Sequence, residues 1–503
     1  MSKINRFYFF IIILILTFWV AYGLTSRYFP IEPDAANSSL VWRALLAEGI
    51  SVFKDWAPTP DNWYFTVYPI NFLFFLLTGN DGIFPLTLST SVFVAMTAIV
   101  LAAILYSITR TWHALLAILA LVCLPAFVYT FGFVAHPFSH YSTNFFGAVC
   151  LALSLYNLKK NSVLLAVAYS IISLLAAVSD PWFSATYFLP LLLVNIYFSW
   201  KKVISVKATG IVFVAFILSM THVLPRMLGL PIQRFKLVPV DQWLINAQWT
   251  VQVLGKSLNL FFVDSFLACT SSLIIWTMMV GWALYKCLKH NNKTVFIALF
   301  SFLTIAAIIS SFIISYDSPA DISARFFVNA VCFSVVLVTL NFSLSKKLFP
   351  GIILALYIAS SLYSFHIYSK PLYDQKQQTY SYISFLEKHD LTFGYSDYWL
   401  MANSVNWLSD GKIHISPVLF NNDFSIDFSS SRSQTMRSWL KEKFISSSPS
   451  RQFIAVPAVE QTKDGLKENS RVIAIEKQFG LPDEKLHFQG VILLVYKHQL
   501  LTE

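Results

Sequence analysis

Hydrophobic runs separated by short polar segments fill the first 368 positions of the chain. Most runs approach the ~20 residues that an α-helix needs to cross a bilayer, so the pattern predicts eleven membrane-spanning helices. The first run follows two basic residues and has no small-residue cleavage site before Arg27, so we expect a retained anchor rather than a signal peptide. The approximate ranges of the eleven are 7–28, 84–107, 113–134, 142–158, 162–179, 183–200, 208–225, 262–285, 294–315, 326–344 and 348–367.

Charged residues between the hydrophobic runs sort by side of the membrane. With a cytoplasmic N-terminus and alternating spans, the inner side receives thirteen basic residues and no acidic one. The outer side receives all eleven acidic residues that precede Lys370, with eight basic ones. Because positive charge collects on the cytoplasmic side of membrane proteins, the pattern predicts a cytoplasmic N-terminus and an outer C-terminus. The thirteen inner residues are Lys3, Arg6, Arg110, Lys159, Lys160, Lys201, Lys202, Lys207, Lys286, Lys289, Lys293, Lys346 and Lys347.

The composition agrees with a polytopic α-helical membrane protein. Of the 503 residues, 56% are hydrophobic and 12% are charged, about half the charged share of a soluble domain. The net charge is +10, but the part from Lys370 onward holds 15 basic and 15 acidic residues, so the excess lies in the membrane part. This distribution indicates a topology signal rather than nucleic-acid binding. All five cysteines lie in or beside hydrophobic segments, so we expect packed thiols and no disulfide framework.

The polar region after the last hydrophobic run predicts a separate domain. The segments QQTYSYISFLEKHD and LMANSVNWLSDG are typical of helices, whereas LTFGYSDYW, KIHISPVLF, QFIAVPAV and VILLVYKH are typical of strands. Alternating helices and strands indicate a small α/β fold. We therefore expect a transmembrane domain at 1–368, with a first outer loop at 30–83, and a soluble α/β domain at 369–503 on the outer face.

The first outer loop begins with an acidic residue close to the membrane. Asp34 follows Pro33 just after the first span, and the stretch NSSLVWRALLAEG predicts a helix from Asn37 that lies flat on the surface. A carboxylate at the water–lipid boundary is costly unless it is solvated or paired, so Asp34 is a functional candidate. A carboxylate there could act as general base towards a hydroxyl group. Asp34 is equally suited to cap the helix that follows.

Further along the same loop, acidic and aromatic residues alternate in DWAPTPDNWYF. Asp55 and Asp61 offer hydrogen-bond acceptors, and Trp63 and Tyr64 offer flat hydrophobic faces. Sugars are bound by this mixture, because their C–H faces stack on aromatic rings while their hydroxyls pair with carboxylates. An aromatic belt at the membrane surface is the alternative, but it accounts only for the aromatic residues.

Arginines near the outer ends of later spans are candidates for binding a phosphate group. Arg325 stands at the start of the tenth span, where a guanidinium can form paired charge-assisted bonds to a lipid phosphate. A salt bridge to Asp317 or Asp321, or extension of its side chain to the membrane surface, is the alternative. Arg226, in the loop after the seventh span, is a second candidate and could instead contact lipid headgroups.

Two short outer loops hold further polar residues. AHPFSHY contains His136 and His140, and SDPWF contains Asp180. Short loops keep side chains near the helix bundle, so contacts to an acceptor or a donor sugar are expected, with loop capping as the alternative. The two histidines would share a metal ion only on a helix, which Pro137 opposes, so a divalent metal is conceivable but not indicated. No other cofactor is indicated.

These features together resemble the GT-C superfamily of integral-membrane glycosyltransferases, which use polyprenyl-phosphate sugars. The resemblance lies in the cytoplasmic N-terminus, Asp34 at the start of a long first outer loop, and about eleven spans with an outer α/β domain. It also lies in the pair Arg325–Phe326 at the outer start of a late helix. The stretch 394–418, GYSDYWLMANSVNWLSDGKIHISPV, is similar to the C-terminal region of bacterial members.

The resemblance implies a hexosyltransferase in the inner membrane of a bacterium, with a periplasmic C-terminal domain. The donor would be a polyprenyl-phosphate sugar, the acceptor a lipid-linked or surface glycan, and Asp34 the general base. Many members have two adjacent acids here, whereas this chain has Glu32 and Asp34 separated by Pro33. The size and plan resemble enzymes that modify O-antigen, the outer glycan of lipopolysaccharide, with glucose. A flippase would then be a partner, and no nucleic acid is expected.

Two other function classes stay open from the sequence. An O-antigen ligase or polymerase has a similar number of spans, but usually carries its large outer loop late, whereas the acids here lie in the early loop. A transporter usually has ionisable or helix-breaking residues in mid-span and two similar halves, and neither pattern is evident. The chain also has no phosphate-binding glycine-rich loop, nucleophile elbow or HExxH motif, which disfavours ATP-driven and hydrolytic chemistry.

Overall fold

The computed structural model describes residues 3–345, 347–367, 371–462, 465–468 and 470–500. Lys346, one of the thirteen basic residues expected on the inner side, lies outside the described residues, as does the expected domain boundary between residues 368 and 369. In chain order the α-helices are α1 (Lys3–Tyr28), α2 (Asn37–Glu48), α3 (Val52–Asp55), α4 (Val67–Thr78), α5 (Ile83–Thr109), α6 (Ala114–Val122), α7 (Ala126–Phe131), α8 (His140–Lys160), α9 (Val163–Ser179), α10 (Leu189–Trp200), α11 (Val206–Met220), α12 (Val223–Met227), α13 (Val240–Ser257), α14 (Phe266–Cys287), α15 (Asn292–Ser315), α16 (Ala324–Ser345), α17 (Leu348–Ile367), α18 (Pro371–Lys388), α19 (Ala402–Leu408), α20 (Glu442–Ile445) and α21 (Ser470–Phe479).

Short strands and tight helical turns complete the secondary structure. The strands are β1 (Trp56–Ala57), β2 (Phe393–Ser396), β3 (His414–Pro417), β4 (Leu419–Phe420), β5 (Ile426–Asp427), β6 (Thr435–Met436), β7 (Gln452–Pro457), β8 (Val459–Thr462), β9 (Gly465–Glu468), β10 (Glu484–Phe488) and β11 (Val491–Tyr496). The 3-10 turns are Pro33–Ala36, Gly49–Ser51, Asp321–Ser323 and Arg437–Leu440, and Ser184–Phe188 is a π-helical turn.

Six helical segments within the described residues are long and hydrophobic enough to cross a membrane, judged by length and composition. They fall in α1, α5, α14, α15, α16 and α17. In the segment that ends with α16, 89% of the most hydrophobic stretch of 18 residues is buried, whereas the share in α1 is 17%. The helix α16 therefore lies in the interior of the bundle and α1 at its edge. A helix that is hydrophobic on all sides is stable only when neighbours or lipid cover it. The chain is therefore a multi-pass membrane protein.

Three predicted segments differ in the structure. The range 208–225 is divided between α11, which ends at Met220, and α12, which begins at Val223. The range 113–134 is not one continuous helix, because α6 ends at Val122 and α7 begins at Ala126. Pro125 explains the break, since it lacks an N–H and its ring disfavours helical dihedrals in the residue before it. The stretch between the predicted spans 208–225 and 262–285, for which the sequence predicts no helix, contains α13 from Val240 to Ser257.

The chain divides into two compact units. The first unit comprises Met1–Phe29, Pro60–Phe74 and Leu86–Ser369. The second comprises Pro30–Thr59, Phe75–Pro85 and Lys370–Glu503. The first contains the core of the helix bundle around α16, and the second combines most of the first outer loop with the C-terminal region.

A five-stranded mixed sheet forms the centre of the second unit. Its strand order is β10-β11-β7-β2-β3, with β2 parallel to both β3 and β7, and with β11 antiparallel to β7 and β10. All six residues of β11 are buried, and their side chains alternate between two hydrophobic clusters. Val491 and Leu493 pack with α18 and α19 on one side, and Ile492 and Leu494 pack with α21 on the other. Because successive side chains of a strand point to opposite faces, both faces of the sheet are covered.

The early loop is tied to the C-terminal region within this second unit. Strand β1 pairs antiparallel with β6, with Trp56 opposite Met436, and the Trp56 side chain is buried. The Arg43 guanidinium forms an ion pair with Asp81, at 2.5 Å from Nε to Oδ2. The Asp81 carbonyl accepts hydrogen bonds from the Ser39 hydroxyl and from the Trp407 indole, at 2.7 and 2.9 Å. Backbone pairing, an ion pair and side-chain hydrogen bonds therefore fix α2 against α19.

Candidate active site

Asp34 lies in the 3-10 turn Pro33–Ala36, immediately before α2. Glu32 is in extended conformation, and its carbonyl accepts a hydrogen bond from the Ala35 amide at 3.1 Å. Ala35 and Ala36 are fully buried, whereas Asp34 is half-buried. The N-cap position of α2 is occupied by Ala36 rather than by Asp34. The Asp34 carboxylate has a partner in a distant part of the sequence.

That partner is Tyr398, from the turn that follows β2. The Tyr398 hydroxyl donates a hydrogen bond to Asp34 Oδ1, and its side chain is 1% exposed. Burial first, and the negative charge of Asp34 second, raise the pKa of Tyr398 well above its ordinary value. The phenol therefore stays protonated at physiological pH and can always donate. The Arg432 guanidinium lies over the Tyr398 ring, 3.6 Å from its centre.

A second pair of side chains joins the same two segments. Asn403, in the first turn of α19, donates from Nδ2 to Asn37 Oδ1 at 3.1 Å and to the Gln434 carbonyl at 2.9 Å. Asn37 and Asn403 are both buried. The residue before α19, Met401, has a left-handed backbone with φ of 63°. A side chain is disfavoured in that conformation, so tertiary contacts must hold the turn in place.

Asp55, a predicted sugar ligand, lies beside the paired strands β1 and β6. Its Oδ1 accepts from the Ser438 amide at 2.9 Å, and its Oδ2 accepts from the Ser438 hydroxyl at 2.5 Å. Arg437 donates to the carbonyls of Lys54 and Trp56 at 2.6 and 2.9 Å. Both carboxylate oxygens of Asp55 thus take part in the contact between two segments of the second unit. Sugar binding by Asp55 stays a prediction.

Three of the other predicted sugar contacts lie in one segment of the first unit. Asn62 donates to the Val178 carbonyl at 2.7 Å, and the Trp63 amide donates to the Ser179 carbonyl at 3.1 Å. The Trp63 side chain is 5% exposed and packs 6.0 Å from the His140 ring, between ring centres. Asp61 and Tyr64 are half-buried on either side of it. The segment 61–64 is thereby fixed to the C-terminal end of α9.

His140 and Asp180 form a hydrogen-bonded pair in the first unit. His140 Nδ1 lies 2.9 Å from Asp180 Oδ2, which also accepts from the Thr143 hydroxyl at 2.8 Å. Asp180 Oδ1 accepts from the Trp182 amide at 3.1 Å, and the side chain of Asp180 is fully buried. A carboxylate can only accept, so Nδ1 carries the proton of a neutral His140. The acceptor nitrogen of the ring is then Nε2.

Aromatic rings hold the His140 imidazole in one orientation. The ring stacks on Trp182, with centres 5.0 Å apart and planes 17° from parallel, and it lies 5.2 Å from Phe326. The Trp182 indole donates to the Phe326 carbonyl at 3.1 Å. Among the described residues, no hydrogen bond to His140 Nε2 is found. The pair therefore presents a nitrogen that is suited to bind or deprotonate a hydroxyl group, or to donate to an anion once protonated.

Arg325 lies next to the same rings. Its guanidinium carbon is 5.0 Å from the centre of the Phe326 ring and 5.7 Å from that of Phe133. Within the described parts of the chain, the Arg325 side chain has no ion-pair partner. Asp321, one of the two acids considered for it, binds Lys256 at 3.0 Å instead. A positive charge held only by aromatic faces is available for an anionic ligand.

Of the remaining predicted residues, His136 contacts the same Phe133 ring as Arg325, whereas Arg226 is on the surface of the first unit. His136 is buried, stacks on Phe133 with ring centres 5.1 Å apart, and accepts from the Phe138 amide through Nδ1 at 2.9 Å. Arg226 is exposed on the short helix α12. Among the described residues, no hydrogen bond or ring contact joins Arg226 to Arg325 or to the rings of Phe133 and Phe326 beside it. The same residues contain no group of three or more His, Cys, Asp or Glu side chains placed to hold a metal ion.

Two functional contacts were not evident in the sequence. Thr143 lies one helical turn after Ser139, and nothing in its surroundings distinguishes it from a serine or threonine packed in a span. Tyr398 belongs to the stretch GYSDYW, which suits either sugar binding or packing. The bond from Tyr398 to Asp34 joins residues 364 positions apart, and no local pattern reports such a contact.

Comparison with known proteins gives a result at the level of fold. No family model matches the chain, and no curated protein matches it. The crystal structure of ArnT from Cupriavidus metallidurans bound to undecaprenyl phosphate matches with a TM-score of 0.55, covering 97% of this chain and 98% of that one. The chain is similar in fold to ArnT. At 10% sequence identity, this likeness concerns the fold alone.

Two further structures match less closely. An oligosaccharyltransferase from Archaeoglobus fulgidus, in complex with zinc and sulfate, has a TM-score of 0.45 at 10% identity and covers 88% of this chain and 67% of that one. ArnT in the apo state has a TM-score of 0.41 at 10% identity, and the coverage is 98% of both chains. The likeness in fold therefore rests on the ArnT complex.

Proposed function

We propose that this protein is a membrane glycosyltransferase that moves a hexose from a polyprenyl-phosphate sugar to a cell-envelope glycan. The observation that carries the proposal is the fold likeness, over nearly the whole chain, to an ArnT structure that contains undecaprenyl phosphate. A lipid phosphate of that kind is what remains when the sugar of such a donor is transferred. The acceptor is an O-antigen or a related lipid-linked or surface glycan of lipopolysaccharide.

The proposed topology places the reaction at the outer face of a bacterial inner membrane. Eleven spans cross the membrane, with the N-terminus in the cytoplasm and the soluble α/β domain at 369–503 in the periplasm. The sorting of thirteen basic and no acidic residues to the inner side supports this orientation. Sugar nucleotides are cytoplasmic, so a donor used at this face must be carried across the membrane, which makes a flippase a partner.

In the proposed reaction, Asp34 is the general base. The acceptor hydroxyl loses its proton to the Asp34 carboxylate, and its oxygen forms a bond to the anomeric carbon of the hexose. The bond between that carbon and the phosphate oxygen breaks, and its electron pair leaves with the polyprenyl phosphate. A half-buried carboxylate fixed by a hydrogen bond suits this task, because its orientation is set before the acceptor arrives.

Arg325 binds the phosphate of the donor, with Arg226 as a second contact. The Arg325 guanidinium has a fixed orientation between two phenylalanine rings and no competing carboxylate in the described residues. It can therefore form two parallel charge-assisted hydrogen bonds to phosphate oxygens. As the bond to the sugar breaks, negative charge grows on the phosphate, and a preorganised positive charge stabilises it.

The remaining predicted residues contact the sugars. His140, held by Asp180, binds a sugar hydroxyl through Nε2, and Asp61 and Tyr64 contribute from the neighbouring segment. Asp55, Trp63 and His136 complete the proposed set. Their burial supports a role in holding the shape of the site as well as direct contact. No metal ion or other cofactor takes part in this proposal.

The test uses the full-length protein in lipid nanodiscs with a panel of radiolabelled undecaprenyl-phosphate hexoses. Lipopolysaccharide and lipid-linked glycans serve as acceptors, and both hexose transfer and release of undecaprenyl phosphate are measured. We expect Asp34→Asn to lower the transfer rate by at least about a thousandfold, while Glu48→Gln, which changes an exposed acid of the same loop, leaves it unchanged. Transfer by Asp34→Asn at the normal rate would contradict the assignment of the base.

The same assay separates the donor role of Arg325 from a general structural role. Arg325→Ala should raise the donor KM by about a hundredfold, and Arg325→Lys, which keeps the charge but loses the paired geometry, by about tenfold. Lys207→Ala, at an exposed basic residue of α11, is the matched control and should change neither value. Equal losses towards donor and acceptor in Arg325→Ala would argue against phosphate binding. The absence of turnover with every donor of the panel would overturn the proposed function.

A further inference from the structure

We propose that Tyr398 is a positioning residue for the general base, holding the Asp34 carboxylate in its ionised form and in one orientation. The inference rests on the proposed function of Asp34, and it gives the C-terminal region a direct role in the reaction. It concerns a contact inside the second compact unit, where the segment 30–59 and the region from 370 onward pack together.

The side chain of Tyr398 is held tightly enough to fix its hydroxyl. It is 1% exposed, and the Arg432 guanidinium covers one face of the ring at 3.6 Å. The Trp399 ring packs against its edge at 5.1 Å and 90°. A phenol has few rotatable bonds, so a buried and covered ring keeps its hydroxyl in one place. The hydroxyl donates to Asp34 Oδ1 from that place.

The backbone that carries Tyr398 is equally constrained. Tyr398 comes two residues after β2, which lies between β7 and β3 in the sheet. Asp397 forms a hydrogen-bonded turn, because its Oδ1 accepts from the Trp399 amide at 2.9 Å and its carbonyl accepts from the Leu400 amide at 3.1 Å. A group on a turn directly after a central strand is positioned more precisely than one on a long loop.

The Asp34 segment is anchored at its other end by the bond from Asn403 to Asn37. Asp34 and Asn37 are three residues apart, as the 3-10 turn passes into α2. The turn after β2 and the first turn of α19 therefore contact the base and the start of its helix at two points. Loss of the Tyr398 hydroxyl alone should leave the Asn403 contact, and with it the local fold, in place.

The electrostatic consequence follows from the reciprocity of interacting charges. The charge of Asp34 raises the pKa of Tyr398, so the Tyr398 hydroxyl must stabilise the charged form of Asp34 in return. Removing the hydroxyl should make Asp34 bind a proton at a higher pH. The wild-type contact thus ensures that the base is ionised when an acceptor binds.

The ionisable groups that the described contacts place around Asp34 and Tyr398 do not change between the variants. Glu32 lies two residues before it, and Arg432 lies over the Tyr398 ring. Arg43, on α2, is engaged by Asp81 and by Asp410, at 2.5 and 3.6 Å. The helix α19, which packs on the turn of Asp34, has no ionisable residue between Ala402 and Leu408. A shift seen on removing only the Tyr398 hydroxyl therefore reports on the contacts of that hydroxyl, which bonds to Asp34 and also to the side chain of Asn37.

The first experiment measures the protonation of Asp34 without any substrate. Infrared difference spectra between the full-length protein and Asp34→Asn isolate the carboxyl band of Asp34, which is then titrated against pH. The titration is repeated in the Tyr398→Phe background, with the difference taken between Tyr398→Phe and the double variant Tyr398→Phe/Asp34→Asn. We expect the midpoint to rise by about one pH unit in Tyr398→Phe. The matched control is Tyr395→Phe, which removes a buried hydroxyl with no hydrogen-bond partner from the neighbouring strand and should leave the midpoint unchanged.

The second experiment measures transfer, with the donor and acceptor that give turnover in the panel described above. Tyr398→Phe should move the acid limb of the kcat profile upward by the same amount, with the donor KM changed by less than about twofold. An unmoved infrared midpoint overturns the inference while leaving the proposed function intact. The opposite outcome is a shifted midpoint in Tyr398→Phe together with a normal transfer rate in Asp34→Asn. That outcome overturns the proposed function instead, because Tyr398 would then position a carboxylate that is not the base.

Discussion

The buried carboxylate of Asp180 is predicted to control which nitrogen of His140 carries a proton, and Asp180→Asn tests this. In the wild type, Oδ2 accepts from His140 Nδ1 and from the Thr143 hydroxyl, while Oδ1 accepts from the Trp182 amide. An asparagine keeps one acceptor and gains an N–H donor. If the asparagine oxygen stays towards the Trp182 amide, the asparagine nitrogen faces Thr143 and His140. The Thr143 hydroxyl can rotate to accept a hydrogen bond from that nitrogen. His140 Nδ1 can accept one only if it loses its proton.

The size of the effect on stability follows from the weakened hydrogen bonds, and the size of the effect on transfer follows from the new position of the proton. Three charge-assisted bonds become neutral ones at about 1 kcal/mol each, so unfolding should become easier by about 2–3 kcal/mol. The fold survives, because every bond keeps a partner in the rearranged state. The proton moves to Nε2, however, so the nitrogen that is proposed to accept a hydrogen bond from a sugar hydroxyl becomes a donor. A lost contact of about 1.5–3 kcal/mol predicts a 10–100-fold lower transfer rate.

The assay measures transfer and thermal unfolding of the same nanodisc preparation, with Thr143→Val as the matched control. That control removes one hydrogen bond to Asp180 but leaves the carboxylate, and therefore the proton on Nδ1, in place. Its unfolding should be affected to a similar extent as that of Asp180→Asn, while its transfer rate should fall by less than about fivefold. The reasoning is refuted if both variants lose activity in proportion to their loss of stability, because Asp180 would then act only through the fold.

Two further predictions concern packing and pH. Gly147→Ala should destabilise the first unit by about 1–3 kcal/mol, because an added Cβ would lie 2.2 Å from the Tyr187 ring, and Gly281→Ala, with open space around it, is the control in a thermal-unfolding assay. Burial lowers the pKa of His414 to about 3, so between that pH and its ordinary value the unfolded chain binds more protons than the folded one. The free energy of unfolding of the C-terminal region should therefore fall by up to about 1.4 kcal/mol for each pH unit below 6.5. His414→Phe should reduce this pH dependence in unfolding curves recorded at several pH values. An equal dependence on pH in both proteins would contradict the prediction.

Local patterns could be predicted from the sequence with some success. The stretch beginning at Asn37 forms α2 as expected, and Gly49 follows it with a φ of +69°, a conformation that favours glycine. The predicted strand segments in the C-terminal region contain β2, β3, β7 and β11. These predictions succeed because hydrophobic periodicity and turn residues act over a few positions.

Contacts between distant segments could not be predicted in this way. β1 and β6 contribute only two residues each to their pairing, too few for any sequence pattern. The Asp34–Tyr398 and His140–Asp180 contacts depend on how whole elements pack, so the sequence could supply the candidates but not their partners. The helix α13 was missed because its charged and amide-bearing residues, such as Asp241 and Lys256, resemble those of a polar loop.

The pairing of β1 with β6 limits how this protein could be recombined with its structural relatives. A chimera that exchanges the region after residue 370 alone would leave Trp56 without Met436 and Asp55 without Ser438. In the hybrid, the Trp56 indole would become exposed and the Asp55 carboxylate would lose its Ser438 partner. An exchange of this region between proteins would therefore have to include residues 30–59 and 75–85, so that the whole second unit is transferred together.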